Sequence, residues 1–443
     1  MEGMFKIKDG AINIVKTLKA NGFQAFLVGG CIRDSLLGKE PEEWDITTSA
    51  KPDRITGLFD KTIPTGVEYG TITVVLPDGQ YEVTTFRSDE RYVDGRHPAN
   101  VKFTDNIHKD LSRRDFTINA LAYDPETREL MDDFGGEQDL KNRIIRAVGD
   151  PIERFSEDGL RPIRACRFAA KLEFQIEPAT FDAISKTLEV VKKVAAERIH
   201  DELVKMLSAD RPSIGFELMH KSGLLRLILP ELEGSFGIEQ PPQFHKFDVY
   251  WHSLYSCDAA PKRNLAVRLA SLLHDIGKPA CKVDFHFYNH DRVGAEMAES
   301  ILKRLKFSGE DIKKIVNLIS LHMFDYTSQW SDAAVRRFIR RIGGVENVED
   351  LFLLRQADTK AMEAEVGFEY LNELGKRISK IIEEENALAV SDLKVDGNDI
   401  MQVLKIPPGP KVGEVLHSLL EKVLDDPRLN EREILLDLIK TYA

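Results

Sequence analysis

Glu43 and Asp45 stand two residues apart in the stretch FLVGGCIRDSLLGKEPEEWDITTSA. In an extended segment that spacing turns both carboxylates to one side and Trp44 to the other. Two acids on one side can hold paired divalent ions about 3.5–4 Å apart, the arrangement used for in-line phosphoryl or nucleotidyl transfer. Just upstream, an apolar run ends in Gly29-Gly30. Such a turn lets the backbone approach a phosphate closely, because no Cβ intervenes and a positive φ is tolerated. Arg33 and Asp34 then open the next helix, and Glu82 in YEVTTFR, on a neighbouring strand, can add a third carboxylate. A second constellation lies far downstream. His274 and Asp275 end an apolar helical stretch in LASLLHDIGKP, with His252, His290, His322 and Asp358 as further donors. Imidazole combined with carboxylate suits Mn, Fe, Ni, Co or Zn better than calcium.

The elements that must position these groups change character along the chain. The first part, to about residue 145, reads as mixed α/β, with strands in QAFLVGG, GTITVVLPDGQYEVTTFR and ALAYDPETRELMDDF. Pro77-Asp78-Gly79 marks a tight hairpin inside the second of these. RSDERYVDGRHPANVKF, polar and punctuated by Gly and Pro, reads as a mobile loop. From about Asp150 amphipathic helical patterns such as AERIHDELVKML and GAEMAESILKRLKF continue to the end, and PELEGSFGIEQPPQFHKF is the clearest internal boundary. The expected fold class is α+β, a small α/β head with a mixed sheet followed by all-α regions.

Composition bounds the function. The chain has 443 residues, 42% hydrophobic and 30% charged, with a net charge of −12. That describes an ordinary globular protein and argues against a general nucleic-acid coat. Locally the balance reverses: Lys141 to Leu172 carries eight Lys or Arg against four acids. An anionic ligand can dock there despite the acidic total. No run approaches the roughly 20 apolar residues of a membrane span, and the start MEGMFKIKDG has no apolar signal core, so a cytoplasmic location and no membrane partner are expected. Cys31, Cys166, Cys257 and Cys281 lack CxxC spacing and suggest neither a disulfide framework nor a zinc finger.

EDGLRPIRACRF invites helical geometry. A helix beginning near Glu157 puts Asp158 and Arg161 three apart on one face with Arg164 close behind, and Pro162 is tolerated in a first turn. An acceptor and a donor so placed can copy the Watson–Crick edge of a base.

The ordered succession of the Gly-Gly turn, spaced acids, DLSRRDFTINALAYD, DDFGGEQDL and EDGLRPIRACRFAAKL closely resembles the class II tRNA nucleotidyltransferases, the CCA-adding enzymes and their bacterial poly(A) polymerase relatives. The resemblance implies that Gly29, Gly30 and Arg33 hold a triphosphate, and that Glu43 and Asp45 are the catalytic residues, binding Mg2+. The family pattern at the acids is Asp-x-Asp, so Glu43 is a departure, and its extra methylene moves the oxygens of a magnesium site. The resemblance further implies that Arg114 and Asp115, with Asn119 beside them, meet the sugar of the incoming nucleotide. It also implies that Asp158 and Arg161, with Arg164, select CTP and then ATP without a template, and that the loop Ser88–Asn100 serves addition of the final A. AERIHDELVKML resembles the neck-helix motif, with Arg198 and Glu202 at i,i+4. The expected partners are the tRNA 3′ end and acceptor arm, with CTP and ATP as substrates.

His274 and Asp275 with His252, His290, His322 and Asp358 resemble the HD-type metal phosphohydrolases, whose domain accompanies many bacterial tRNA nucleotidyltransferases. The expected organisation is a head over 1–147, a helical neck over 148–232, an HD-type body over 233–380 and a tRNA-binding tail over 381–443. Four other readings stay open from sequence: an A-adding enzyme, a poly(A) polymerase, an HD phosphohydrolase with a nucleotide-binding head, and a tRNA-binding protein.

Overall fold

The apolar run Ala25–Val28 is buried along its whole length and forms β1, near the middle of the head sheet. The other strands are β2 (Asp45–Thr48), β3 (Thr62–Gly66), β4 (Thr71–Leu76), β5 (Gly79–Thr85), β6 (Arg87–Tyr92), β7 (Pro98–Phe103), β8 (Ala122–Asp124) and β9 (Glu129–Met131). This is a computed structural model, and it describes residues 6–92, 98–243, 245–362, 367–384 and 388–442. Seven strands form one mixed sheet in the order β3-β4-β5-β2-β1-β8-β9. β2 and β5 run parallel, and the remaining neighbours are antiparallel.

Both faces of β1 are covered, as a strand without polar alternation requires. The helix Asp9–Ala20 packs Ile14, Val15 and Leu18 toward the core, and Phe26, Val28, Phe86, Ile107 and Leu111 form an apolar cluster. Leu76 pairs with Gly79, so the turn expected at Pro77-Asp78 closes the β4–β5 hairpin.

Two expectations are corrected. The segment read as a mobile loop is in large part an antiparallel ribbon of β6 and β7, with Asp89 opposite Val101 and Tyr92 opposite Pro98. The charged run RSDER and the Gly and Pro that punctuate the segment hid the pairing, outweighing the alternation of Ala99, Val101 and Phe103 with Asn100 and Lys102. Residues 93–97 of that segment lie outside the described residues. The helix expected from Glu157 instead begins at Arg161: the helix Pro151–Glu157 ends, Asp158 is extended at φ −140°, and the helix Arg161–Leu172 follows with Pro162 in its first turn. The physical cause is local. Asp158 turns its carboxylate back to accept the Leu160 N–H at 3.0 Å, as a short acidic side chain does in a turn rather than in a helix interior.

By its own contacts the chain divides into two compact units, Met1–Glu233 and Gly234–Ala443, inside the stretch read as the main boundary. The first holds the sheet and the helices that follow it. The second is helical apart from a small hairpin, Lys282–Val283 with His286–Phe287, and its last part has a core of its own around Ile400, Leu419, Leu420 and Leu435. Among the described residues no helix is long and apolar enough to cross a membrane. All four cysteines are free thiols.

Candidate functional site

In the first unit, β1 delivers the chain into Gly29 at φ +77°, a conformation that favours glycine. A Cβ there would lie 2.8 Å from Arg114 Nη1, so glycine is also what lets this guanidinium come against the turn. β2 begins at Asp45, whose register partner on the parallel strand β5 is Glu82, and neighbours in register share one face. Trp44 is buried on the opposite side, while Glu43 and Glu82 are exposed. Burial raises the Asp45 carboxyl to about 6; Arg114 opposes this, and Glu82 and Glu43 add to it. Three neighbouring carboxylates form a donor set that a divalent cation stabilises. Arg114 is the nearby cation, with its Nε buried and lacking a hydrogen-bond partner.

Arg33, expected at a triphosphate, is only 4% exposed. Its guanidinium donates to Asp34 at 2.8 and 2.9 Å and to Asn119 Oδ1 at 2.7 Å. From there a buried chain continues. Asn119 donates to Asp115 at 3.0 Å, Arg164 grips the same carboxylate at 2.7 and 2.8 Å, and Glu202 joins Arg164 to Arg167. Asp115 stays charged although burial opposes it, because Arg164 and the Asn119 amide hold its carboxyl far below the usual range. Phe168 packs beneath this network, with the guanidinium carbons of Arg33, Arg164 and Arg167 at 5.1, 5.3 and 3.9 Å from its ring centre. The network joins the Gly-Gly turn, the helix Arg161–Leu172 and the helix Ala196–Leu207, so it fixes their mutual position.

Asp158 and Arg161 are held separately. Arg198 donates to Asp158 at 2.8 and 3.1 Å, a bidentate grip that orients the carboxylate. Arg161 donates to the carbonyls of Arg154 and Arg113, at 2.6 and 2.9 Å, and pairs with Glu157. Sequence reasoning placed Arg198 in the neck-helix motif without assigning it Asp158 as a partner, and missed Asp110. Asp110 is fully buried and pairs with Arg113 at 2.8 Å and Arg114 at 3.7 Å, so it positions the guanidinium that faces the turn. Its spacings of three and four in DLSRRD were the available signal.

In the second unit the six expected ligands come together from separate helices. His252 lies on Val249–Ala259, His274 and Asp275 follow Leu265–Leu273, His290 opens His290–Arg304, His322 ends Gly309–Leu321, and Asp358 lies on Val348–Ala361. All are 8% exposed or less. Gly277 allows the approach: a Cβ there would lie 2.4 Å from the His290 carbonyl oxygen. The Nδ1 atoms of His274, His290 and His322 face the carbonyls of Ser271, Phe287 and Ile319 at 2.8, 2.7 and 2.7 Å. Donation to those carbonyls fixes the tautomer and leaves each Nε2 as a lone-pair donor. Asp275 belongs to two donor groups, one with His252 and His274, the other with His290 and His322. His274 Nε2 and Asp275 Oδ2 are buried and lack aligned hydrogen bonds, their contacts being charge contacts such as the 2.7 Å to Lys278. Burial opposes a proton on His274, yet Asp275 and Asp358 raise it to about 10. The cluster therefore pulls in positive charge, and its donor set fits a transition metal.

His245 was missed. Its ring meets that of His252 edge-on at 5.1 Å, its Nδ1 is buried without a partner, and burial and Lys278 bring it down to about 4. Its position ahead of the first helix of the unit gave no periodic signal.

The Poly A polymerase head domain matches residues 25–146, the RNA and SrmB-binding site of polymerase A matches 173–235, and tRNA nucleotidyltransferase domain 2 matches 289–439. A CCA-adding enzyme of Streptococcus suis is 31% identical over 97% of this chain and 96% of its own length. One from Enterococcus faecalis is 33% identical over 97% and 95%. The crystal structure of the Bacillus stearothermophilus CCA-adding enzyme in complex with CTP superposes with a TM-score of 0.77 at 26% identity, covering 100% of this chain and 98% of that one.

Proposed function

The chain belongs to the family of CCA-adding enzymes, and from that premise we propose how its residues divide the work. It is a nucleotidyltransferase that builds or completes the 3′-terminal CCA of tRNA from CTP and ATP, without a nucleic-acid template. The observation that carries the site assignment is the register pairing of Asp45 with Glu82, with the charge of Glu43 acting on the same Asp45 carboxyl. Enzymes of this kind use a divalent metal, and we assign magnesium to these carboxylates.

When bound there, magnesium supplies charge stabilisation for the attacking 3′-oxygen and the pyrophosphate leaving group. The chain's own residues do the rest. Asp45 and Glu43 hold the cation, with Glu82 flanking them. The glycine turn gives the triphosphate room, and Arg114 balances its charge. Arg33 and Asn119 keep the turn rigid. Asp115 and Arg164 anchor the helix behind the incoming sugar, and Asp158 and Arg161 present an acceptor and a donor to the base, with Arg198 orienting Asp158. The helices of the neck and of the 233–380 and 381–443 regions meet the acceptor arm by shape and phosphate contact. A cytoplasmic location is part of this proposal. Asp45→Ala tests the assignment: incorporation from CTP and ATP should be lost while tRNA affinity is kept, and near-normal turnover with magnesium overturns it.

A second activity is favoured by the buried Nε2 donors around Asp275. We propose that His252, His274, Asp275, His290, His322 and Asp358 hold a transition metal and that the second unit hydrolyses a phosphate ester, such as a 2′,3′-cyclic phosphate on a damaged tRNA end. A bound metal there supplies an activated water. His274→Ala with Asp275→Ala should remove stoichiometric metal from protein purified without chelator and leave nucleotide addition intact. Absence of Mn, Fe, Ni, Co and Zn from the wild type, with no hydrolysis on adding them back, refutes this assignment.

A further inference from the structure

The hairpin Lys282–Val283 with His286–Phe287 plays no part in the readings above, yet it is fastened to the His/Asp cluster. His290 Nδ1 meets the Phe287 carbonyl at 2.7 Å. Lys278, 2.7 Å from Asp275, places its ammonium 5.4 Å from the centre of the Phe287 ring. Phe287 is thus the inward anchor.

Its neighbours turn outward. Val283 is 62% exposed, Phe285 47% and Tyr288 67%, and Met323, next to the cluster residue His322, is 56% exposed. A run of large apolar side chains held in water marks a contact surface rather than a core remnant. Two of the rings are already ordered: His286 and Tyr288 stack with centroids 5.5 Å apart and planes 6° apart. One face of Tyr288 is against the imidazole, and its high exposure leaves the other open.

We propose that this hairpin is a base-stacking platform, which seats the base of a nucleoside or RNA end whose phosphate ester lies in the His/Asp cluster. The inference rests on reading that cluster as a phosphohydrolase. Tyr288 is two residues ahead of His290, so their Cα atoms are at most about 7 Å apart. Stacking on a ring accepts any base, since every base has a π face. Lys278, 2.7 Å from Asp275, supplies a cation at the cluster for the phosphate, as an apolar lipid or protein partner would not require. With a cyclic phosphate, the water oxygen bonds to phosphorus and the P–O bond to one ribose oxygen breaks. That oxygen takes one water proton, and the other stays on the monoester.

The test uses the full chain loaded with metal and two esters, guanosine 2′,3′-cyclic phosphate and base-free glycerol 1,2-cyclic phosphate. Guanine is not a base the CTP- and ATP-using head takes. Tyr288→Ala should raise KM for the guanosine ester about tenfold, in the range expected for loss of one base–aromatic stack. The preference for the guanosine ester over the glycerol ester should fall by the same factor, and Tyr288→Phe should restore it. Calorimetric binding of guanosine 2′-monophosphate should weaken about tenfold in parallel. An unchanged preference, or an equal loss on both esters, overturns the platform while leaving the phosphohydrolase standing. Hydrolysis of neither ester by the metal-loaded wild type removes the phosphohydrolase reading and the platform with it.

Discussion

Replacing Asp45 by asparagine should destroy activity and strengthen the fold. Burial, then Glu82 and Glu43, raise the Asp45 carboxyl from 3.8 to about 6 against the pull of Arg114. A raised carboxyl pKa means that the folded state holds the proton more tightly than the unfolded state, so the charged form costs stability. The cost is absent below the unfolded value, grows as pH rises through the interval between the two, and is complete above about 6. Two pKa units correspond to about 3 kcal/mol at pH 7.5, and the same linkage leaves roughly half of that at pH 5. Asp45→Asn removes the ionisable group and keeps the shape. For a unit of this size 1 kcal/mol moves Tm by about 2–4 °C, so the variant should melt about 6–12 °C above wild type at pH 7.5 and about half as far above it at pH 5. Magnesium should narrow the gap, because it favours the charged wild-type site only. The assay is thermal unfolding of the full chain, following the transition of Met1–Glu233, at both pH values with and without magnesium. An asparagine variant no more stable than wild type at pH 7.5, or a gap that widens with magnesium, refutes the electrostatic account of this site.

Arg161→Ala should narrow the preference for CTP over UTP at least about tenfold, since hydrogen bonds to charged groups are worth about 1.5–3 kcal/mol, and steady-state incorporation with each nucleotide checks it. Arg198→Ala should shift selectivity in the same direction by freeing Asp158, with tRNA affinity kept in a filter-binding assay. Glu43→Asp should raise incorporation if the longer side chain limits the magnesium geometry, read as kcat at saturating CTP. Shortening the segment Ser88–Asn100 should leave tRNA ending in CC, seen by product length; equal loss of C and A addition would make the ribbon a general support.

Much of the head was legible because its signals are local. β1 is an unbroken apolar run, the Gly-Gly turn ends it, and Pro77-Asp78 closes a hairpin between β-rich segments. The spacing of Glu43 and Asp45 around Trp44 needed only the period of a strand. The His/Asp cluster was legible for a different reason: the adjacent His274-Asp275, with further His and Asp along the chain, resembles the HD-type metal phosphohydrolases. What escaped depends on tertiary contact. The hydrogen bonds of Arg33 to Asp34 and Asn119 had no sequence signal, and Arg114 emerged at the turn because Gly29 leaves it space. The break at Asp158 was hidden because an acid in a turn and an acid in a first helical turn look alike before Pro162. The β6–β7 ribbon was hidden by the charged run RSDER and the neighbouring Gly and Pro, which outweighed the alternation in PANVKF.

The central claim is template-free completion of CCA by residues of the first unit, Met1–Glu233. It is tested most directly by supplying three tRNAs, ending at the discriminator base, at C and at CC, with labelled CTP and ATP and reading product length at single-nucleotide resolution. The account predicts that all three converge on the same CCA end, with no further extension and with no product from Asp45→Ala. Extension limited to the tRNA ending in CC, or an untemplated run of A residues, would contradict it.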